Sequence, residues 1–218
     1  MNVTVVIPYR GDGAHRDRAY THTRAHLAAL LPGAEIVAAD SGHAPFNRAA
    51  SRNEGVRQAR GDVVVVCDAD SLPEPEPLHA AIDAAPTGGV HLPFTFFRAL
   101  TREHTERVLH DGAPPRAAKP LYYSTTSVGG CYVATRDTWW AAGGQDERFH
   151  GWGYEDTAFA WAAECLVGLH RHHGVLYGLW HPPAADPTSE EMRPKRARSM
   201  RYRAARRDPE AMRELIWG

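Results

Sequence analysis

Two pairs of carboxylates are the residues best placed to do chemistry. Asp68 and Asp70 lie one residue apart, directly after the apolar run Val63-Val64-Val65-Val66-Cys67. Carboxylates that close repel each other unless a positive charge lies between them. Hard divalent cations such as Mg²⁺ and Mn²⁺ suit this oxygen-rich setting, often together with substrate phosphates. A polar turn after a strand is the plainer reading, since Asp and Ser are turn formers. The second pair, Glu155 and Asp156, follows Phe149-His150-Gly151-Trp152-Gly153-Tyr154 and opens a helical pattern running to about residue 167. Acids favour the first turn of a helix, where the dipole is positive, so this pair too has a structural as well as a chemical reading. Trp152, between two glycines, offers one large flat surface on a flexible backbone.

The elements that must position these groups follow from periodicity and punctuation. Residues 3–7 form a short buried strand stopped by Pro8, and Tyr9-Arg10-Gly11-Asp12-Gly13 is a loop. Residues 15–31 read as a helix, 35–39 as a strand closed by Asp40-Ser41-Gly42, and 47–60 as a second helix. The 63–67 strand reads as buried on both faces, as in parallel sheets. Strand–helix–strand–helix–strand with short links is the signature of a doubly wound α/β sheet. Right-handed crossovers bring the three strand ends to one edge. Tyr9, Arg10, Asp40, Asp68 and Asp70 then share one cleft, where open α/β sheets bind ligands. Beyond it, 77–85 reads as a short helix with Pro at its start, 88–93 as a strand, and 94–110 as a helix with Phe97, Leu100 and Val108 on its apolar face. Residues 111–120 read as a mobile loop, 131–134 as a strand, and 136–142 as a helix capped by Gly143-Gly144. A strand at 174–180 ends at His181-Pro182-Pro183. A Pro-rich stretch at 182–187 follows, then a basic helix from about 188 to 207 and a last helix at 209–217. His170, His172 and His173 fall in a turn beside Arg171 and read as exposed.

With 218 residues and a formal net charge of −1, the chain reads as one domain, able to hide roughly 70% of its extended surface on folding. That charge gives no global field for nucleic acid, although residues 193–207 hold eight Lys or Arg and no acid. Cys67, Cys131 and Cys165 are odd in number, widely spaced and set among apolar residues. They read as buried thiols in a reducing compartment rather than as disulfides or a zinc site. No signal-peptide pattern precedes the first strand, and no apolar stretch reaches the roughly 20 residues that span a bilayer. The expectation is a cytoplasmic protein, with attachment to a membrane surface left open.

Several of these segments resemble one family. Val5-Val6-Ile7-Pro8-Tyr9-Arg10 looks like the first strand of family 2-type glycosyltransferases with the GT-A fold. So do Ala50-Ser51-Arg52-Asn53-Glu54-Gly55 and Cys67-Asp68-Ala69-Asp70, the latter similar to the family's DxD motif. Gly143-Gly144-Gln145-Asp146-Glu147-Arg148-Phe149 and Gly151-Trp152-Gly153-Tyr154-Glu155-Asp156 resemble the C-terminal half of galactosyltransferase and polypeptide N-acetylgalactosaminyltransferase enzymes. The resemblance spans roughly residues 3 to 181. It departs at Ala39-Asp40-Ser41-Gly42, which holds one acid where many relatives have two.

The resemblance implies an α/β GT-A domain with a mostly parallel sheet. Residues 1–93 would be the nucleotide-binding half, 94–187 the acceptor and catalytic half, and 188–218 a basic helical extension. Pro8, Tyr9, Arg10, Asp40, Arg52, Asp68, Ala69, Asp70 and Gly130 would border the nucleotide or donor sugar, with Gly129 against donor or acceptor. Asp70 and His181, with Asp68 beside them, would hold Mn²⁺ or Mg²⁺. Trp152 and Gly153 would receive the acceptor, and Asp156, with Glu155 beside it, would be the general base. The implied reaction is metal-dependent, inverting sugar transfer from a nucleotide-diphosphate donor, a UDP-hexose or UDP-N-acetylhexosamine by analogy. The acceptor hydroxyl stays open: glycan, lipid-linked saccharide, protein or modified nucleic acid. Arg193, Lys195, Arg196 and Arg198 either fold over the diphosphate or form a solvated helix face, the plainer reading. Two other readings remain. One is a sugar-nucleotide pyrophosphorylase, with Gly11-Asp12-Gly13, Arg10 and Arg16 as a faint phosphate loop; the other is a non-catalytic nucleotide-sugar-binding domain.

Overall fold

The structure is a computed structural model that describes residues 1–117, 119–182, 189–190 and 192–218. The Pro-rich stretch expected at 182–187, after Pro182, and the first residue of the expected basic helix lie outside the described residues.

The first half alternates as the sequence requires: β1 (Val3–Pro8), α1 (His15–Leu30), β2 (Glu35–Ala39), α2 (Arg48–Gln58) and β3 (Val63–Cys67). β1 pairs parallel with both β2 and β3. Every residue of β3 is buried, and Val65 sits between Val5 on one side and Val133 on the other. Asn47 caps α2 by accepting the Ala50 amide on its side chain, which satisfies one of the helix's orphan donors. Gly55 lets α2 lie directly on β1, because a Cβ there would run into Val6 and Ala39.

The second half is β4 (Ser71–Pro73), α3 (Pro75–Ala84), β5 (Val90–Leu92), β6 (Phe96–Leu100), α4 (Arg102–Asp111), β7 (Pro120–Ser124), β8 (Cys131–Thr135), α5 (Arg136–Ala141), α6 (Glu155–Leu166), β9 (Leu169–Arg171), β10 (Val175–Gly178), α7 (Met192–Ala205) and α8 (Pro209–Trp217). Among the described residues, one sheet runs β2-β1-β3-β8-β5-β9 and a smaller one runs β4-β10-β6-β7. In the main sheet β8 alone runs against the rest, antiparallel to both β3 and β5. The core clusters on β1, β3 and β8 under α2, α3, α5 and α6, with Tyr132 packed edge to face with Trp139 and Phe159, which are tilted against each other.

The helix expected over 94–110 is two elements. Residues 96–100 form β6, which pairs with β10 and β7, and only Arg102–Asp111 is helical. Thr101 divides them, its side chain accepting the His104 amide as the cap of α4. Phe97 and Leu100 fit a helical spacing, but strand pairing on both sides decides the backbone. The loop expected over 111–120 runs into β7, which the sequence reading left out, and β4 and β9, of three residues each, are too short for periodicity to reveal. His170 lies in β9 rather than in a turn, and the His172 ring is hydrogen-bonded to His91.

Candidate active site

The two sheets meet at Asp68-Ala69-Asp70. β3 ends one residue before Asp68 and β4 begins one residue after Asp70. The Asp68 amide donates to the Gly130 carbonyl (2.8 Å), and the Asp70 carbonyl accepts from the Leu179 amide (2.8 Å). The turn is therefore fastened to the start of β8 and the end of β10. Gly130 is required here: its φ is +100°, and a Cβ would meet Leu176 and Ser71.

Arg52 joins the two carboxylate pairs. It projects from α2, is 0% exposed, and donates to Asp68 Oδ1 from Nη2 (2.5 Å) and Nε (3.2 Å). Its Nη1 donates to Asp156 Oδ1 (2.6 Å) and to Gln145 Oε1 (2.7 Å). The Tyr132 hydroxyl donates to the same Asp156 oxygen (2.6 Å). Arg48, one turn earlier on α2, lies 3.4 Å from Asp68 Oδ2, 3.5 Å from Glu155 Oε1 and 3.9 Å from Asp156 Oδ2. Asp156 is thus anchored through Oδ1, while Oδ2 faces Gly129, where a Cβ would collide with it. Arg48, Tyr132 and Gln145 are absent from the sequence-derived site. The i, i+4 spacing of Arg48 and Arg52 on the helix facing the strand end was the available signal.

These contacts set the charges. Burial pulls the Asp156 carboxyl up, but Arg52, Arg48 and the Tyr132 hydroxyl outweigh it and hold it below the usual carboxylate range. Glu155 behaves the opposite way. Burial and the Asp156 charge raise it, and although Oε2 accepts the Gly153 amide (2.8 Å), Oε1 has no hydrogen bond among the described residues. Asp70 is raised too, by burial and by Asp68, with His181 and Arg48 opposing.

The remaining sequence-derived residues surround this cluster in three groups. At the ends of β1 and β2, Arg10 grips Asp40 with two bonds (2.6 and 2.7 Å) and also donates to the His43 carbonyl (2.7 Å). Tyr9, next to buried Pro8, stacks on Tyr20 and donates to Asp17 (2.5 Å), and burial with that bond pushes its hydroxyl up to about 12. Asp17 also takes the Asp12 and Gly13 amides, so the loop expected as a phosphate cradle spends those donors on its own helix. At the far end of β10, His181 Nε2 lies 3.7 Å from Asp70 Oδ2. Among the described residues no group of three or more His, Cys, Asp or Glu gathers as a metal cluster. Ahead of α6, Trp152 stays 38% exposed while Gly153 is buried. Tyr154 takes a left-handed backbone (φ 71°), rare for a residue with a side chain, and so turns the chain into α6 with Glu155 inward. Chemically the arrangement offers a carboxylate fixed through one oxygen with Arg48 3.9 Å from the other, and an oxygen–imidazole pair after the strand ends, with an exposed indole ahead of α6.

The family model for glycosyl transferase family 2 matches residues 22–148. Solved structures share the fold. TarS of S. aureus superposes with a TM-score of 0.55 at 14% identity, over 99% of this chain and 69% of that one. A mannosyltransferase from Pyrobaculum calidifontis gives 0.54 at 18% identity, over 99% and 68%. A mutant of Drosophila beta1,4galactosyltransferase 7 gives 0.50 at 18% identity, over 79% of this chain and only 64% of that one, less than two thirds of its length. A comparison with curated protein sequences returned no match.

Proposed function

The chain belongs to glycosyl transferase family 2, and from that premise we propose a metal-dependent, inverting transfer of a sugar from a nucleotide-diphosphate donor to an acceptor hydroxyl. The observation that carries this reading is the state of Asp156: held below the usual carboxylate range, anchored through Oδ1 by Arg52 and Tyr132, with Oδ2 against Gly129 and only the longer 3.9 Å approach of Arg48 on it. A positioned carboxylate of this kind accepts a hydroxyl proton as the new C–O bond forms. A base facing the acceptor, opposite the leaving diphosphate, makes the reaction a single displacement with inversion.

The other residues take roles around that oxygen. Asp68, crossed by both arginines, orients the donor's ribose or sugar and fixes Arg52 in turn. Arg10 and Asp40 together border the base, with Pro8 and Tyr9 forming the floor beside them. Gly129 and Gly130 keep the backbone close to the sugar, and Trp152 with Gly153 receives the acceptor ring. Asp70 and His181 fit a hard divalent ion: an imidazole and a carboxylate that burial and Asp68 leave short of positive charge. Mg²⁺ and Mn²⁺ commonly take one or two such ligands and fill the rest with phosphate oxygens and water. When bound, the ion supplies Lewis-acid neutralisation of the departing diphosphate.

Solved relatives support the donor class. The Drosophila enzyme was solved with manganese, UDP-Gal and xylobiose, the S. aureus protein with UDP-GlcNAc, and the P. calidifontis enzyme with GDP-Man and Mn²⁺. A UDP-sugar is our favoured donor. We divide the domain into a nucleotide half (1–93), an acceptor half (94–187) and a basic extension (188–218). A cytoplasmic location belongs to the same proposal. The pyrophosphorylase reading loses its phosphate loop to Asp17. The test is a screen of UDP-, GDP- and dTDP-sugars with Mn²⁺ that measures free nucleoside diphosphate and pyrophosphate together. Diphosphate release from one donor class supports transfer. Pyrophosphate release, or metal-dependent binding without turnover on any acceptor class, would replace it.

A further inference from the structure

Helix α7 has two different faces. Met192, Ser199, Tyr202 and Ala205 are buried, none more than 6% exposed, and Arg198 and Tyr202 both bind Asp146. Ala197, Met200 and Ala204 are exposed, Met200 by 50%. Their spacing of three and four residues puts them in one line along the outer face. Arg196 and Arg203 flank this line on one side and Arg201 on the other, all exposed. Among the described residues none of these three arginines makes a hydrogen bond or an ion pair. The helix is also tied to the acceptor side of the site: Lys195 Nζ donates to the Trp152 carbonyl (2.9 Å), and Met192 fills the space a Gly153 Cβ would need.

We infer that this face rests on an anionic membrane surface, with Ala197, Met200 and Ala204 at the headgroup boundary and Arg196, Arg201 and Arg203 on lipid phosphates. Exposed arginines are drawn to anionic headgroups, their long stems reach sideways to them, and Met200 adds a small apolar contact between them. The convex face lets all of these side chains meet a plane at once. Four turns of helix carry no groove that would guide a flexible anionic chain, and the exposed methionine at the centre has no role against a nucleic-acid backbone. This inference stands whether or not the proposed reaction is correct, since it concerns only the outer face of α7.

Flotation of the full chain with vesicles tests it, using phosphatidylglycerol mixed with phosphatidylcholine against phosphatidylcholine alone. Binding is expected to the anionic vesicles only and to weaken with salt. Each arginine near such a surface is worth about fivefold in partition, so Arg196→Gln, Arg201→Gln and Arg203→Gln together should weaken it roughly 100-fold. The same three positions changed to Lys should keep most of the binding. Met200→Ser should lower it severalfold, which a purely ionic partner would not notice. Thermal midpoints should change little in the arginine variants, because among the described residues these three side chains make no hydrogen bond or ion pair. Failure of the wild-type chain to bind anionic vesicles, equal binding by the triple Gln variant, or tighter binding to duplex nucleic acid at the same salt would overturn the inference.

Discussion

At the scale of single residues, Arg52 is the group on which the site depends. It is buried and neutralises two carboxylates whose positions lie 16 and 104 residues away. Removing one partner of a buried ion pair costs about 3–5 kcal/mol, because the other charges are left uncompensated. Arg52→Met should therefore unfold at markedly lower urea concentration, by about that free energy. Arg52→Lys should recover little, since one ammonium cannot span Asp68, Asp156 and Gln145 together. As candidates, Asp68, Asp70 and Asp156 could be picked out of the sequence by their spacing and by resemblance. Their partners could not. Nothing local in the chain says that the Tyr132 hydroxyl reaches Asp156, or that Arg48 faces three acids; folding brings them there. The lowered Asp156 carboxyl also sets a pH expectation. Its acid limb in kcat/KM should lie below about 4, the ordinary carboxylate value, and a limb above that would mean the base is another group.

At the scale of elements, the three parallel strands and two helices of the first half follow from their residue patterns, and the site edge follows from them. Gly55 shows why α2 can hold Arg48 and Arg52 so close to β3. Gly55→Ala would press a methyl group against Val6 and Ala39, and overpacking of this kind costs about 1–3 kcal/mol, which a thermal or urea denaturation curve would read. The second half was harder to read. β6 carries a spacing that suits a helix as well as a strand, and the deciding contacts with β7 and β10 come from distant residues. Of the three histidines that the sequence suggested were exposed, His170 and His173 are, whereas His172 is partly buried and meets His91 of β5. His91 Nδ1 lies 3.0 Å from His172 Nε2, and its other nitrogen lies 3.1 Å from the Gly88 carbonyl. Burial lowers both histidines, with His170 adding to the effect. The folded state therefore holds fewer protons there than the unfolded chain. This contribution is intact above the unfolded value of about 6.5 and is lost as pH falls below it. The melting temperature should drop from pH 7 towards 5, with a shallower slope in His172→Gln; identical slopes would remove the cluster from the account.

At the scale of the whole molecule, the candidate site lies along the seam between two sheets. Asp68 to Asp70 form that seam and Gly130 and Leu179 fasten it. Asp156 approaches from the first turn of α6, and Trp152 lies exposed in the bend before it. No described helix is long and apolar enough to cross a membrane. Membership of glycosyl transferase family 2 and the shared fold account for this plan; the donor and acceptor are chemical questions for the cleft. His181→Ala should weaken the Mn²⁺-dependent thermal shift given by the preferred nucleoside diphosphate and leave the metal-free shift alone. The most direct measurement is of Asp156→Asn in parallel for turnover and for donor binding. The account predicts a loss of turnover of about 10²–10⁴-fold with the donor-induced thermal shift preserved. Turnover at the wild-type rate in this variant would contradict it.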